Sequence, residues 1–165
     1  MTINQNLIFI HGLMSSSQGN KATLLHGLFP GILTPDFSGS LDERMQGLRT
    51  ILGDESDWTM IGSSFGGLMA AIFTCQRPQQ VEKLVLLAPA LIWPEFASNP
   101  PDALDVPVTI YHGTRDEVIP LDTVRPLAER VFRNLSFNVV DDDHGLHKTI
   151  HELDWHVLLG VKPGN

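Results

Sequence analysis

Four short runs of this chain are mostly apolar without a period-two alternation: Leu7-Ile8-Phe9-Ile10, Trp58–Gly62, Lys83–Ala88 and Val108–Tyr111. A strand that is apolar on both sides has to be covered on both sides. Such strands belong to a parallel sheet with helices on each face. The stretches between them carry helical signals. Asn20–Phe29 is a candidate helix. Ser40-Leu41-Asp42-Glu43 reads as a capping box, in which a Ser hydroxyl and a Glu three residues on each satisfy a free backbone N–H. Leu41, Met45, Leu48 and Leu52 then share one helical face, and Gly53 suits the stop. Phe65–Gln76 is the next helix, ended by Pro78. Thr123–Phe132 follows, with Pro126 in its first turn, where N–H groups have no intrahelical partner. Leu146, Ile150, Leu153 and Val157 give a last helix. Gly31–Pro35 is a weak strand beside prolines. Leu135, Phe137 and Val139 alternate with polar residues, as on a half-exposed edge strand. The reading is six strands and five or six helices, with no internal repeat and no linker. Residues 89–106 form a Pro-rich irregular connection.

The 165 residues suit one domain, 1–165. With 11 Lys+Arg against 19 Asp+Glu, the net charge is −8. This argues against nucleic acid and anionic membranes as partners, since both need a basic face. The lone Cys75 excludes an internal disulfide framework and a Cys-rich zinc site. No apolar run approaches the ~18–20 residues of a membrane helix. The N-terminus has no basic region before its short apolar run and does not read as a signal peptide. A cytoplasmic location is the expectation.

Gly62-Ser63-Ser64-Phe65-Gly66-Gly67 lies between a candidate strand and a candidate helix, the context of a G-x-S-x-G nucleophile elbow. The turn is so tight that Cβ atoms two residues either side of the central Ser64 would collide. The hydroxyl is presented at a helix N-terminus, which stabilises negative charge. A plain Gly-rich strand–helix turn is the alternative, and three further features bear on it. Phe9-Ile10-His11-Gly12-Leu13 follows the first strand and can supply one of the two N–H donors that an oxyanion hole needs, from Leu13 or from Met14. Phe65 would supply the other. His112-Gly113-Thr114-Arg115-Asp116-Glu117-Val118-Ile119-Pro120 puts a carboxylate past a strand's C-terminal end, where α/β sheets build their sites. Asp143-His144-Gly145 follows the last strand. The order Ser64, Asp116, His144 is that of a known serine triad.

Together these motifs resemble the α/β-hydrolase superfamily, in the small, nearly lidless form of short bacterial esterases and thioesterases. The resemblance implies a three-layer α/β-hydrolase fold. Its mostly parallel sheet of about six strands would have helices on both faces and would lack the N-terminal antiparallel strands of the full fold. The strand after residue 31 would sit outside the first. The resemblance further implies that Ser64 attacks an acyl carbonyl, His144 moves the proton and Asp116 orients the imidazole. Leu13 and Phe65 would hold the oxyanion, with no cofactor and no metal. The substrate would be a small ester or thioester. His11, Gly12 and Met14, with Trp93 and Phe96 of a short flap at 89–106, would line it. Trp93 and Phe96 could instead simply pack the flap onto the sheet.

Rival readings exist for several residues. His147 and His151 are four apart, a zinc-compatible spacing, but H-E-x-x-H is absent. His147 could replace His144 as base, and Glu117 could replace Asp116. Asp141, Asp142 and Asp143 read mostly as a solvated loop. Cys75 reads as a small core residue. Ser17 or Asn20 could cap the first helix. Two classes of function remain: a serine hydrolase, or a hydrolase-fold binding protein without turnover. The oligomeric state is not readable.

Overall fold

A computed structural model describes residues 6–164. The first part of the N-terminal segment examined for a signal peptide lies outside these residues. Five strands form one sheet in the order β1-β2-β3-β4-β5. They are β1 (Asn6–Ile10), β2 (Trp58–Ser63), β3 (Val81–Leu87), β4 (Val108–Gly113) and β5 (Leu135–Val140). Every neighbouring pair is parallel. Seven helices connect them: α1 (Asn20–Leu28), α2 (Leu41–Leu52), α3 (Phe65–Gln76), α4 (Pro94–Ala97), α5 (Leu121–Val131), α6 (Thr149–Glu152) and α7 (Trp155–Leu159). No described helix is long and apolar enough to cross a membrane.

The unalternating apolar runs are explained by two cores, one on each face. Ile8, Ile10, Met60, Leu84, Leu86 and Ile110 pack with residues of α2, α3 and α5. Their sequence neighbours Leu7, Phe9, Ile61, Val85 and Leu87 point the other way, into a core with α1, α6 and α7. Successive Cβ atoms of a strand alternate sides, so covering both faces requires apolar residues at both parities. Strand β5 has β4 alone as a sheet neighbour, and its residues are half-buried or exposed, as its alternation implies.

Four expectations are corrected. The sixth strand, Gly31–Pro35, shrinks to a single parallel bridge, Ile8 to Leu33, outside β1. Leu33 exchanges two 2.9 Å bonds with β1 (Phe9 N to Leu33 O, Leu33 N to Leu7 O). Pro35, two residues on, has no N–H to extend the ladder. The chain therefore steps to one side of β1 and then returns to the other for β2, which places a topological switch at the β1–β2 crevice. The expected last helix breaks into α6 and α7. Leu153 is extended at ψ 136°, and the Asp154 side chain accepts from Val157 N and starts a new helix. Val157, on the apolar periodicity, is exposed. Helix α5 begins two residues earlier than its sequence signals, so Pro126 lies in its interior. The helix persists because Val124, Ala128 and Val131 are fully buried. In the capping box, Ser40 Oγ accepts from Glu43 N at 3.2 Å as expected, but the Glu43 carboxylate takes the Ser40 hydroxyl and not its N–H.

Helix α2 is held chiefly by its buried face of Met45, Leu48 and Leu52. Leu48→Ala is expected to cost about 3 kcal/mol, and Ser40→Ala about 1 kcal/mol, both read from urea denaturation. An equal loss for the two would show that the cap, not the apolar face, fastens α2.

Candidate active site

The C-terminal ends of β1, β2, β4 and β5 meet on one edge of the sheet, and their loops carry the residues singled out above. Ser64 follows β2 directly and caps α3, with φ 54° and ψ −114°. A non-glycine residue in this region costs on the order of 1–3 kcal/mol. Its N–H bonds Leu87 O at 2.9 Å, and its carbonyl accepts from Leu68 N and Ala90 N. The glycines make this possible. A Cβ on Gly62 would stand 2.7 Å from the Gly67 Cα, so β2 and α3 pass at backbone contact. A Cβ on Gly66 would strike the Ile10 and His11 carbonyls, so the end of β1 closes over the same turn. The collision expected between the two flanking positions is thus realised at Gly62; Gly66 is constrained by β1.

The Ser64 Oγ lies 3.0 Å from His144 Nε2, and His144 Nδ1 lies 2.8 Å from Asp116 Oδ2. An ionised carboxylate only accepts, so Nδ1 carries the proton and Nε2 is free to accept from the hydroxyl. The Asp116 side chain is fully buried, whereas His144 is 24% exposed. Asp116 Oδ1 accepts from Val118 N at 2.9 Å and Ile119 N at 2.8 Å. Glu117 is exposed and takes no part. His147 is also set aside as base, because it is exposed, its Nδ1 sits 3.2 Å from the half-buried Asp143 and it makes no bond to Ser64.

His112, which opens the motif that carries Asp116, braces the site from behind. It is fully buried and stacks on Phe137. Its Nε2 donates to Ile119 O at 2.9 Å and lies 3.3 Å from Asp116 Oδ2. His11 likewise stands behind the site. Its Nε2 accepts from Phe37 N and its Nδ1 donates to Gly12 O, which fixes the loop after β1. It does not line the cavity, so its place among the substrate-lining residues is corrected. Phe96 is corrected too. It is fully buried, 6.4 Å from the Phe132 ring, on the core side of α4. Ser17 and Asn20 do not cap α1. Gly19 occupies the cap position without a side-chain bond, and Ser17 instead bonds Asp36.

Two residues escaped the sequence reading. Asp142 is buried, not solvated. Burial alone would raise its carboxyl pKa. Donors from Thr149 N, Thr149 Oγ1, Asp143 N and Lys148 N outweigh that and bring it down to about 2. It ties the His144 loop to the start of α6. A local clue was the Thr149 seven residues on, but three adjacent aspartates gave no sign of which one turns inward. Arg44 is buried on α2, with its Cζ 5.4 Å from the centre of the Phe65 ring, which also meets the Trp93 ring in a T-shaped contact with centroids 5.2 Å apart. Together they brace the residue after Ser64.

A cavity of about 510 Å³ opens above Ser64. Gly12, Leu13, Met14, Phe65, Trp93 and His144 contribute to its walls. The Phe65 N–H is the first of α3 and has no acceptor within the helix. The Leu13 N–H, on the facing loop, has no partner among the described residues. Cys75 is remote from this cavity, and burial pushes its thiol up to about 12.

No protein-family model matches the chain, and no curated protein matches it. Solved structures do. A protein from Xanthomonas campestris assigned to the α/β hydrolase superfamily is 27% identical, with a TM-score of 0.74 over 90% of this chain and 91% of that one. Est1E from Butyrivibrio proteoclasticus, solved with ferulic acid bound, is 17% identical, with a TM-score of 0.71 over 96% and 90%. A monoacylglycerol lipase from Paleococcus ferrophilus is 16% identical, with a TM-score of 0.72 over 94% of each chain. The chain is a member of the α/β-hydrolase superfamily, with the fold in a minimal, all-parallel five-stranded form.

Asp142 also sets an acid limit on stability. Its carboxyl is depressed from 3.8 to about 2 in the folded chain. Its contribution, about 2 kcal/mol, is therefore complete above about pH 4 and is lost as pH falls towards 2. Asp142→Asn is expected to lower stability by about that amount at neutral pH and to flatten the acid limb of a urea-midpoint profile. An unchanged acid limb would show that another carboxylate sets it.

Proposed function

We propose that this chain is a serine hydrolase of small carboxylic esters or thioesters that works through an acyl-enzyme on Ser64. The observation that carries this reading is the hydrogen-bonded chain from Ser64 through His144 to the buried Asp116, opening into the cavity. The names of two solved relatives, a lipase and a protein solved with ferulic acid, agree with acyl chemistry on this fold.

In this mechanism Ser64 Oγ attacks the acyl carbon while His144 Nε2 takes its proton. Asp116 stays ionised and stabilises the imidazolium. The carbonyl oxygen becomes an oxyanion held by the N–H groups of Phe65 and Leu13, fixed donors of the kind that need no reorganisation during reaction. His144 then protonates the leaving alcohol or thiol, and the C–O or C–S bond breaks. Water, deprotonated by the same imidazole, attacks the acyl-enzyme and releases the acid and free Ser64. Only the neutral imidazole of His144 can accept from the hydroxyl.

Residues 89–106 act as a short flap. Trp93 faces the cavity, while Phe96 anchors the segment in the core. Leu13, Met14, Trp93 and Val118 leave an exposed apolar rim. An apolar wall of this size fits the acyl group of a small ester.

Ser64→Ala is expected to lower kcat on p-nitrophenyl esters by ~10⁴ or more, to abolish fluorophosphonate labelling and to leave thermal stability equal or higher, since alanine removes no core contact. Labelling that persists would move the nucleophile elsewhere. A wild-type protein that neither labels nor turns over would be a hydrolase-fold binding protein instead.

Across esters from acetate to dodecanoate, short chains should be preferred, with no jump in rate on micelle formation. Such a jump would mean that residues 89–106 move as a lid.

A further inference from the structure

The walls of the cavity above Ser64 have an uneven charge. Among the described residues that line it there is no aspartate, no glutamate and no arginine. The one lysine or arginine among these wall residues is Lys21, near the start of α1. This is notable in a chain with 19 acidic residues against 11 basic ones. Lys21 is half-buried, and its ammonium makes no hydrogen bond or ion pair with any described residue. Burial pulls its pKa below the ordinary lysine value, and the carboxylates of Asp143 and Asp142 offset part of that pull. A cation that loses water and gains no direct protein contact is a cost to the free enzyme, which those two carboxylates offset only in part and a bound anion would offset further. The neighbouring surfaces agree. Helix α1 starts on Gly19 without a side-chain cap and without an acidic residue in its first turn, so its positive end is uncompensated. Asn20, the first helical residue, lines the same wall.

We propose that Lys21 is a specificity residue that receives an anionic group, a carboxylate or a phosphate, carried by the ester or thioester whose carbonyl lies at Ser64. This rests on the serine-hydrolase reading and narrows its substrate class. The apolar wall takes the hydrocarbon part of the substrate, and Lys21 with the α1 terminus takes its charged end. A charge-assisted contact of this kind, shielded from bulk water, discriminates between a charged substrate and its neutral isostere by about tenfold or more.

The test compares matched ester pairs that differ only in charge. One pair puts the charge on the acyl side: p-nitrophenyl hemiglutarate against its methyl ester. The other puts it on the leaving group: 4-butyryloxybenzoate against its methyl ester. The reading is the ratio of kcat/KM, charged over neutral, in wild type, Lys21→Met and Lys21→Arg, each shown to be folded by circular dichroism. The expected result is a wild-type ratio of at least about ten for one pair, which identifies the side that carries the anion. That ratio should collapse towards one or below in Lys21→Met and persist in Lys21→Arg. The plain alternative is that Lys21 only balances Asp142 and Asp143. It predicts that Lys21→Met changes both members of a pair by the same factor, and a ratio that Lys21→Met leaves unchanged overturns the inference. A wild-type ratio of one or less for both pairs, with turnover that depends on Ser64, also overturns it while leaving the serine-hydrolase reading standing. Absence of Ser64-dependent turnover on all four esters, together with no fluorophosphonate labelling, overturns both.

Discussion

The backbone contact between β2 and α3 is the constraint on which the site depends. Ser64 adopts φ 54° because the chain turns from strand to helix with no intervening loop. That turn exists only where neither Gly62 nor Gly66 carries a Cβ. The strain at Ser64 is opposed by fixed surroundings: its N–H is bonded to the end of β3, its carbonyl to the segment after β3, and β1 closes over Gly66. Two cores hold those strands in place from opposite faces. The free energy of packing therefore supports a locally unfavourable conformation at the residue whose hydroxyl faces the cavity.

The remaining partners are held by short loops whose polar groups are satisfied internally. Asp116 is enclosed by two backbone donors and the two imidazoles of His112 and His144. Its charge is thus fixed in a dry place, where it orients an imidazole strongly. His144 itself stands on a turn that Asp142 ties to the start of α6 through three donors, with Asp143 N as a fourth within the turn. Rigidity here comes from carboxylates that accept backbone N–H groups, rather than from extra secondary structure. This suits a fold with few residues to spare.

The cavity divides its labour by polarity. Its apolar rim, including Trp93 and Met14, is suited to hydrocarbon. Its one lysine, Lys21, shares the described walls with no carboxylate. In a chain of net charge −8 that lysine is a local exception.

The sequence by itself determined the sheet, its parallel sense and the helices that matter. Apolar residues at both parities of β1, β2 and β3 have no other stable use than burial on two faces. The strand–Gly-x-Ser-x-Gly–helix pattern named Ser64, because its glycines answer a local steric demand that can be read from residues four apart. The positions of Asp116 and His144 were readable as strand ends. What only the tertiary structure decided was whatever depends on contacts between distant segments. Three aspartates in a row look alike until α6 packs beside them and Asp142 alone turns inward. Phe96 and Trp93 are three residues apart and equally apolar, yet α4 sends one into the core and the other to the cavity. Leu146, Ile150, Leu153 and Val157 kept a helical period that Asp154 interrupts by capping a new helix. Nothing in the sequence around Lys21 marks it, because its significance lies in which walls it faces and in the absence of a carboxylate among them. Local sterics and hydrophobic period are properties of neighbouring residues, whereas burial and charge environment are set by segments that meet only when the chain has folded.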